Sequence, residues 1–218
     1  MKQRRFISLA LAMLGVSCIN VYVTNAPVES RTIKFEGSAK AIAVSHGIDV
    51  RVDATLAQGE AVVTTHNDVI DFVKVYVEDG TLKVEHNAPR SINAKTLEVR
   101  IPSIDYATVA VSGGAEFSDM AFSGETLTIA ASGGADVDVD GEAQMLTVAA
   151  SGGADVSLDE LRVASANIAA SGGADVEVWV TESLTVNASG GADVNYKGNP
   201  AKVDANRSGG ASVEHDND

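Results

Sequence analysis

From about Thr32 onward, apolar and polar residues alternate with a period of two, the pattern of strands that turn one face inward. Ile48, Val50 and Val52 share one side of Gly47-Ile48-Asp49-Val50-Arg51-Val52, and Val73, Val75 and Val77 share one side of the run beginning at Phe72. Asp79-Gly80 separates that run from Leu82-Lys83-Val84-Glu85, which predicts a two-residue hairpin. Up to Val111 the strands show no obvious repeat.

Beyond Val111 the pattern repeats on itself. Leu127-Thr128-Ile129-Ala130-Ala131 is matched by Leu146-Thr147-Val148-Ala149-Ala150, by Ala166-Asn167-Ile168-Ala169-Ala170 and by Leu184-Thr185-Val186-Asn187-Ala188. Ser-Gly-Gly-Ala follows each, and starts in all at Ser112, Ser132, Ser151, Ser171, Ser189 and Ser208, in steps of 20, 19, 20, 18 and 19 residues. After the corners come Asp136-Val137-Asp138-Val139, Asp155-Val156-Ser157-Leu158, Asp175-Val176-Glu177-Val178 and Asp193-Val194-Asn195-Tyr196. A unit this short cannot be a domain, and one this regular is not a linker; it is one coil of a solenoid.

Each coil reads as strand, Gly-Gly corner, strand and variable return, the glycine pair supplying positive φ. Leu127, Ile129, Val137 and Val139 point inward; Thr128, Asp136 and Asp138 point out. The expected fold is all-β: a right-handed, single-stranded parallel β-helix of ~19-residue coils, preceded by a less regular β region. Six coils at roughly 4.8 Å make a column about 29 Å tall. The period and the glycine content exclude a helical bundle.

The first residues are a different material. Lys2, Arg4 and Arg5 lead into the apolar run from Phe6 to Ser17, the order of a secretory signal. The expected division is a signal peptide over 1–17, a tether over 18–31, one β-helical domain over 32–213 (irregular over 32–111, repeating over 112–213) and an acidic tail over 214–218. Cys18, after Leu14-Gly15-Val16-Ser17, resembles the lipidated cysteine of a bacterial lipoprotein, with Gly15 where such sites usually carry Leu. Ordinary cleavage nearby and an uncleaved anchor are the alternatives. A lone cysteine forms no internal disulfide.

Gly47-Ile48-Asp49-Val50-Arg51-Val52, Asp79-Gly80-Thr81-Leu82-Lys83-Val84, the corners, and Val194-Asn195-Tyr196-Lys197-Gly198-Asn199-Pro200 together resemble the bacterial family of putative auto-transporter adhesins, head GIN domain. The resemblance spans about residues 32 to 213 and implies export, a β-helical fold and adhesion, with no catalytic residues to carry over. Here most corners read Ser-Gly-Gly-Ala-Asp where many relatives have Ser-Gly-Ser-Gly, so most corners carry an acid.

Net charge is −14, and loss of residues 1–17 takes it to −17 because three cations and no anions leave. Such a surface repels nucleic acid and anionic lipid and can gather cations. Glu116, Asp136, Asp155, Asp175 and Asp193 recur at one coil position, so their carboxylates should form a file at about 5 Å spacing. Calcium between them is one reading, and solvated turn carboxylates bonded to local amides is the other. His46, His66 and His86 are 20 residues apart, near the coil period, which raises a zinc or copper file against mere coincidence. Thr128, Thr147 and Thr185, with Asn167, and beside them Ala130, Ala149, Ala169 and Asn187, make a flat row for a partner sheet, a polymer or ice, or simply suit strands.

Carbohydrate cleavage would require Asp and a base in one groove. Arg162, Lys197, Lys202 and Arg207 share no coil position with the carboxylate file, and Trp179 and Tyr196, read as outward aromatics in separate coils, either stack a sugar or are incidental. The expected function is a non-catalytic surface adhesion or interaction module of the cell envelope, an outer-membrane lipoprotein or a periplasmic protein. Its partner would be a surface or envelope protein or polysaccharide, no nucleic acid is expected, and the membrane is met only through the N-terminal lipid or anchor. A polysaccharide-acting enzyme and a calcium-responsive module are the alternatives. The last coil, near Val213, leaves open edges that Glu214, Asp216 and Asp218 would keep from pairing.

Overall fold

The computed structural model describes residues 21–88 and 91–216, so the expected signal peptide, Cys18 and Asp218 lie outside the described residues. The strands in chain order are β1 (Val21–Val23), β2 (Val28–Lys34), β3 (Ala41–Val44), β4 (Asp49–Asp53), β5 (Glu60–His66), β6 (Val73–Glu78), β7 (Thr81–His86), β8 (Ser91–Asn93), β9 (Leu97–Pro102) and β10 (Thr108–Ser112). Four long strands follow, β11 (Glu116–Ser132), β12 (Asp136–Gly152), β13 (Asp155–Gly172) and β14 (Asp175–Gly190), then β15 (Asp193–Lys197), β16 (Lys202–Arg207) and β17 (Ser212–His215). One 3-10 turn, Ile70–Phe72, interrupts them. The strand β2 begins four residues ahead of Thr32.

Corresponding positions of successive coils pair in parallel. Thr108, Thr128, Thr147, Asn167 and Thr185 stand in one row, as do Glu116, Asp136, Asp155, Asp175 and Asp193. The protein is therefore a β-solenoid of about six turns with a less regular N-terminal region. Alternation assigned the faces correctly: Leu127, Ile129, Val137 and Val139 are buried, Asp136 and Asp138 are exposed, and Thr128 is half-buried. Inside, Leu82, Ile42, Val109, Ile129, Val148, Ile168 and Val186 form an unbroken file of buried side chains. Full burial of each contributes about 1.5–3 kcal/mol, and the branched shapes fit a narrow interior.

The expected variable return is strand. From one corner to the next the chain stays paired, and coils of 20, 19, 20 and 18 residues fit together through register shifts. The largest sets the four steps from Leu158 to Arg162 against the single step from Val178 to Trp179. Such bulges bend the strand and redirect its side chains, so they turn the coil through its remaining edges.

The corners rest backbone upon backbone. Gly173, Gly191 and Gly210 donate their N–H to the carbonyls of Gly152, Gly172 and Gly190 at 2.7, 2.6 and 2.6 Å. The first glycine of each of these corners has positive φ and no room for a side chain: a Cβ on Gly172 (φ +79°) would stand 2.8 Å from the Gly152 carbonyl oxygen. Both glycines have positive φ only in the corners at Gly113 and Gly133; from Gly152 onward only the first does. The second glycine there is sterically free, which corrects the expectation of a strained pair at every corner.

The N-terminal region contains a coil that the repeat hides. Residues of β3 and β4 pair with β10 and β11, and between them Ser45-His46-Gly47-Ile48 takes the place of Ser-Gly-Gly-Ala, with His46 and Gly47 both at φ 67°. On its other side this coil pairs in parallel with β7 and β9, so residues 41–53 lie between a coil that comes later in sequence and the regular stack. Beyond it the pairing becomes antiparallel, through β6 on one face and β5 and β2 on the other. The hairpin at Asp79-Gly80 is present, with Glu78 opposite Thr81 and positive φ at both turn residues. The outer strand β2 is largely exposed and carries Glu29, Arg31 and Lys34, charges that discourage a further strand from adding to this edge.

The glycine geometry yields a paired test. Gly172→Ala combines a left-handed backbone with a carbonyl clash and should cost about 2–3 kcal/mol. Gly153→Ala, where nothing lies within 4 Å of an added Cβ, should be neutral or stabilising by about 0.4–1 kcal/mol. Urea unfolding of both variants against the parent checks this.

Candidate functional site

The carboxylate file exists and is longer than expected. Parallel pairing brings Glu116, Asp136, Asp155, Asp175 and Asp193 into one row, adds Asp49 and Glu98 at its N-terminal end, and ends it at Ser212, whose hydroxyl donates to Asp193 at 2.7 Å. The N-terminal members are answered by cations: Arg51 lies 3.7 Å from Glu98, 4.0 Å from Glu116 and 3.9 Å from Asp119. Arg100 bonds Asp53 at 2.8 Å and approaches Glu98 at 4.0 Å. Among the described residues, no salt bridge reaches Asp136, Asp155, Asp175 or Asp193.

Repulsion along the file is legible in its protonation. Partial burial, then the charges of Asp155 and Asp193, push the Asp175 carboxyl above the usual range. Burial followed by Glu116 does the same to Asp49, and burial followed by Asp140, Glu160, Asp119 and Asp159 does the same to Asp138. Each coil supplies one carboxylate to the file, and among the described residues no three His, Cys, Asp or Glu are grouped so as to hold one metal ion.

The three histidines do not form a file. His46 and His86 meet with ring centroids 5.0 Å apart, and burial followed by the charge of His46 pushes the His86 imidazole down. His66 lies on the antiparallel strand β5, buried, with Nδ1 donating to the Ala26 carbonyl at 2.5 Å. A spacing of 20 residues registers side chains only where the pairing is parallel. The threonine row is in register as expected, with Ala130, Ala149, Ala169 and Asn187 exposed beside it.

Near the C-terminal end the structure assembles a group that sequence reasoning kept apart. The large bulge in β13 carries Arg162 into register with Trp179, and Trp179 pairs with Lys197. The Arg162 guanidinium lies over the indole at 5.7 Å, and Lys197 donates to Asp159 at 2.9 Å. His215 donates from Nε2 to the Gly198 carbonyl at 2.6 Å and stacks on Tyr196 with centroids 4.8 Å apart. All of these groups except Tyr196, together with Thr181, Asn199 and Asp216, line an open cleft of about 610 Å³. Two expectations are corrected here: acids and bases do share a groove, and Tyr196 packs half-buried against the core instead of standing outward. Counting from the corners could not find the cleft, because Arg162 lies eleven residues after Ser151 while Trp179 and Lys197 lie eight after Ser171 and Ser189.

The raised carboxyls fix the sign of the pH dependence. Asp49, Asp138 and Asp175 bind protons more readily folded than unfolded, so stability should rise as pH falls from neutrality toward the ordinary carboxylate range. Asp53, held low by Thr55 and then Arg100, contributes stability that is lost only below the ordinary carboxylate range. Asp175→Asn should therefore raise Tm at pH 7 and flatten its rise on acidification, measured by thermal unfolding across that range.

A family model for putative auto-transporter adhesins, head GIN domain, matches residues 39–200. No curated protein matches the chain significantly in sequence. Among solved structures, a putative adhesin from Bacteroides fragilis NCTC 9343 superposes with a TM-score of 0.73 at 16% identity, covering 89% of this chain and 100% of its own. Putative adhesins from Parabacteroides merdae ATCC 43184 (TM-score 0.55, 17% identity, 90% and 99% covered) and Parabacteroides distasonis ATCC 8503 (0.53, 20%, 90% and 100%) share the fold. With well over half its length matched by the family model, and with the solenoid that its corners demand, the chain belongs to the putative auto-transporter adhesin, head GIN domain family.

Proposed function

We propose that this chain is a bacterial surface adhesion module, exported by its N-terminal segment, held at the envelope through a lipidated Cys18, and acting by binding a surface or envelope protein or polysaccharide. The observation that carries the reading is the unbroken in-register column. It fixes long exposed rows and one lateral cleft on a frame whose own hydrogen bonds are satisfied from coil to coil. Recognition surfaces of solenoids are built in this way, with each coil contributing one position to a row. The names of its family and of its structural neighbours point the same way. Among the described residues no helix is long and apolar enough to cross a membrane.

The cleft bears on the enzymatic alternative. A lyase base must shed its proton near neutrality. The hydrogen bond from Lys197 to Asp159 pushes the ammonium upward, so it keeps its proton. The same pairing serves binding, because it holds a donor and an acceptor in fixed positions.

An epitope at the C-terminus should be labelled on intact cells, and labelling should fall to background in Cys18→Ala. Deleting the gene should reduce attachment of the cells to the surfaces they colonise. Labelling only after permeabilisation contradicts the surface reading.

A further inference from the structure

The only tryptophan of the chain, two of the four Lys and Arg residues that follow Ser112, and the last histidine converge on one cleft, although they come from four successive coils. Elsewhere the rows of the repeat half present mainly Asp, Glu, Thr and small side chains, with Met145, Lys202, Val203 and Arg207 as exposed exceptions. Nothing in the packing of the column needs this convergence: Trp179 points outward and is 38% exposed, while the inward row of the same strand is filled by Val176, Val178 and Val180.

The cleft is also built, in that its walls are fixed before any ligand arrives. Gly198 (φ +90°) lets its loop close against the ring, since a Cβ there would meet the Val180 carbonyl oxygen at 2.1 Å and Trp179 Cδ1 at 3.0 Å. His215 ties the same loop to β17. Arg162 is fixed on the ring face, and among the described residues no salt bridge ties up its N–H donors. A volume of about 610 Å³ falls within the roughly 300–1,000 Å³ of small-molecule sites.

We infer that this cleft binds a neutral pyranose saccharide, with the C–H face of a sugar ring against the open part of Trp179 and its hydroxyls bonded to Asp159, Arg162, Lys197 and Asn199. An apolar plate edged by fixed donors and acceptors suits a molecule that is apolar on one face and hydroxylated around its rim. Charge selects the neutral class. Arg162 and Lys197 are balanced by Asp159 and Asp216, and Glu177 and Glu214 line the adjoining recess, so an anionic sugar is repelled at the shoulder. A cationic ligand would compete with Arg162 for the ring. The inference names the ligand class of the adhesion module proposed above and rests on that reading for its biological use.

Because Trp179 is the only tryptophan, its emission reports on the cleft directly. The full chain is titrated with cello-oligosaccharide and with malto-oligosaccharide, and with oligogalacturonate as the acidic comparison. The expected result is a saturable emission change with at least one neutral oligosaccharide. By calorimetry, Trp179→Ala should weaken that binding roughly tenfold or more, and Asp159→Asn should weaken it while both keep the parental Tm. Absence of a saturable change with both neutral probes, or tighter binding of oligogalacturonate, overturns the inference. Cell attachment separates the two readings. If attachment needs the gene but neither neutral probe gives a saturable change, the cleft inference fails and adhesion stands. If the deletion strain attaches like the parent, adhesion fails and the titration alone decides the cleft.

Discussion

At the corners of this solenoid one peptide lies against the next with no side chain between them. In the last three corners the N–H of the second glycine reaches the carbonyl of the first glycine one coil below at 2.6–2.7 Å, a separation that any Cβ on the first glycine would prevent. In the earlier ones Gly113 and Gly133 donate to the Ser132 and Ser151 carbonyls of the next coil at 3.2 Å. That contact fixes where each coil begins relative to its neighbour. Side-chain direction in a strand has period two, so a slip of one residue would send the valines outward and the aspartates in. The buried apolar file and the exposed carboxylate file are therefore two consequences of one backbone contact.

The same register is costly on the outside. Rows that stack valines inside must stack like charges outside, and Asp175 feels Asp155 and Asp193 on either side. The N-terminal end relieves this with Arg51 and Arg100, while the regular half leaves its row to solvent and counterions. Against that acidic wall the cleft around Trp179 is the local exception, with its cations held by an indole and a carboxylate.

Much of the molecule was legible because its determinants are local and repeated. The period of the corners, the alternation of Leu127, Ile129, Val137 and Val139, the turn at Asp79-Gly80 and the file from Glu116 to Asp193 all follow from spacing along the chain. What escaped depends on pairing between distant segments. The coil of residues 41–53 is inserted between later strands, and its corner at His46-Gly47 lacks the repeated motif. Arg162 joins Trp179 only because a bulge absorbs three residues, which no count from the corners anticipates. His66 shares the spacing of His46 and His86 but lies on an antiparallel strand, so equal spacing meant nothing there. The Cys18 reading lies outside the described residues.

Hydrogen exchange at the corner amides tests most directly whether backbone stacking holds the column in register. The glycines are solvent-exposed, yet Gly173, Gly191 and Gly210 should exchange slowly because each donates to the coil below. Gly153, which makes no such bond, should exchange fast. If all four exchange at the rate of an unfolded chain while the interior valine amides stay protected, the corners only follow the register of the strands, and the stacking account is wrong.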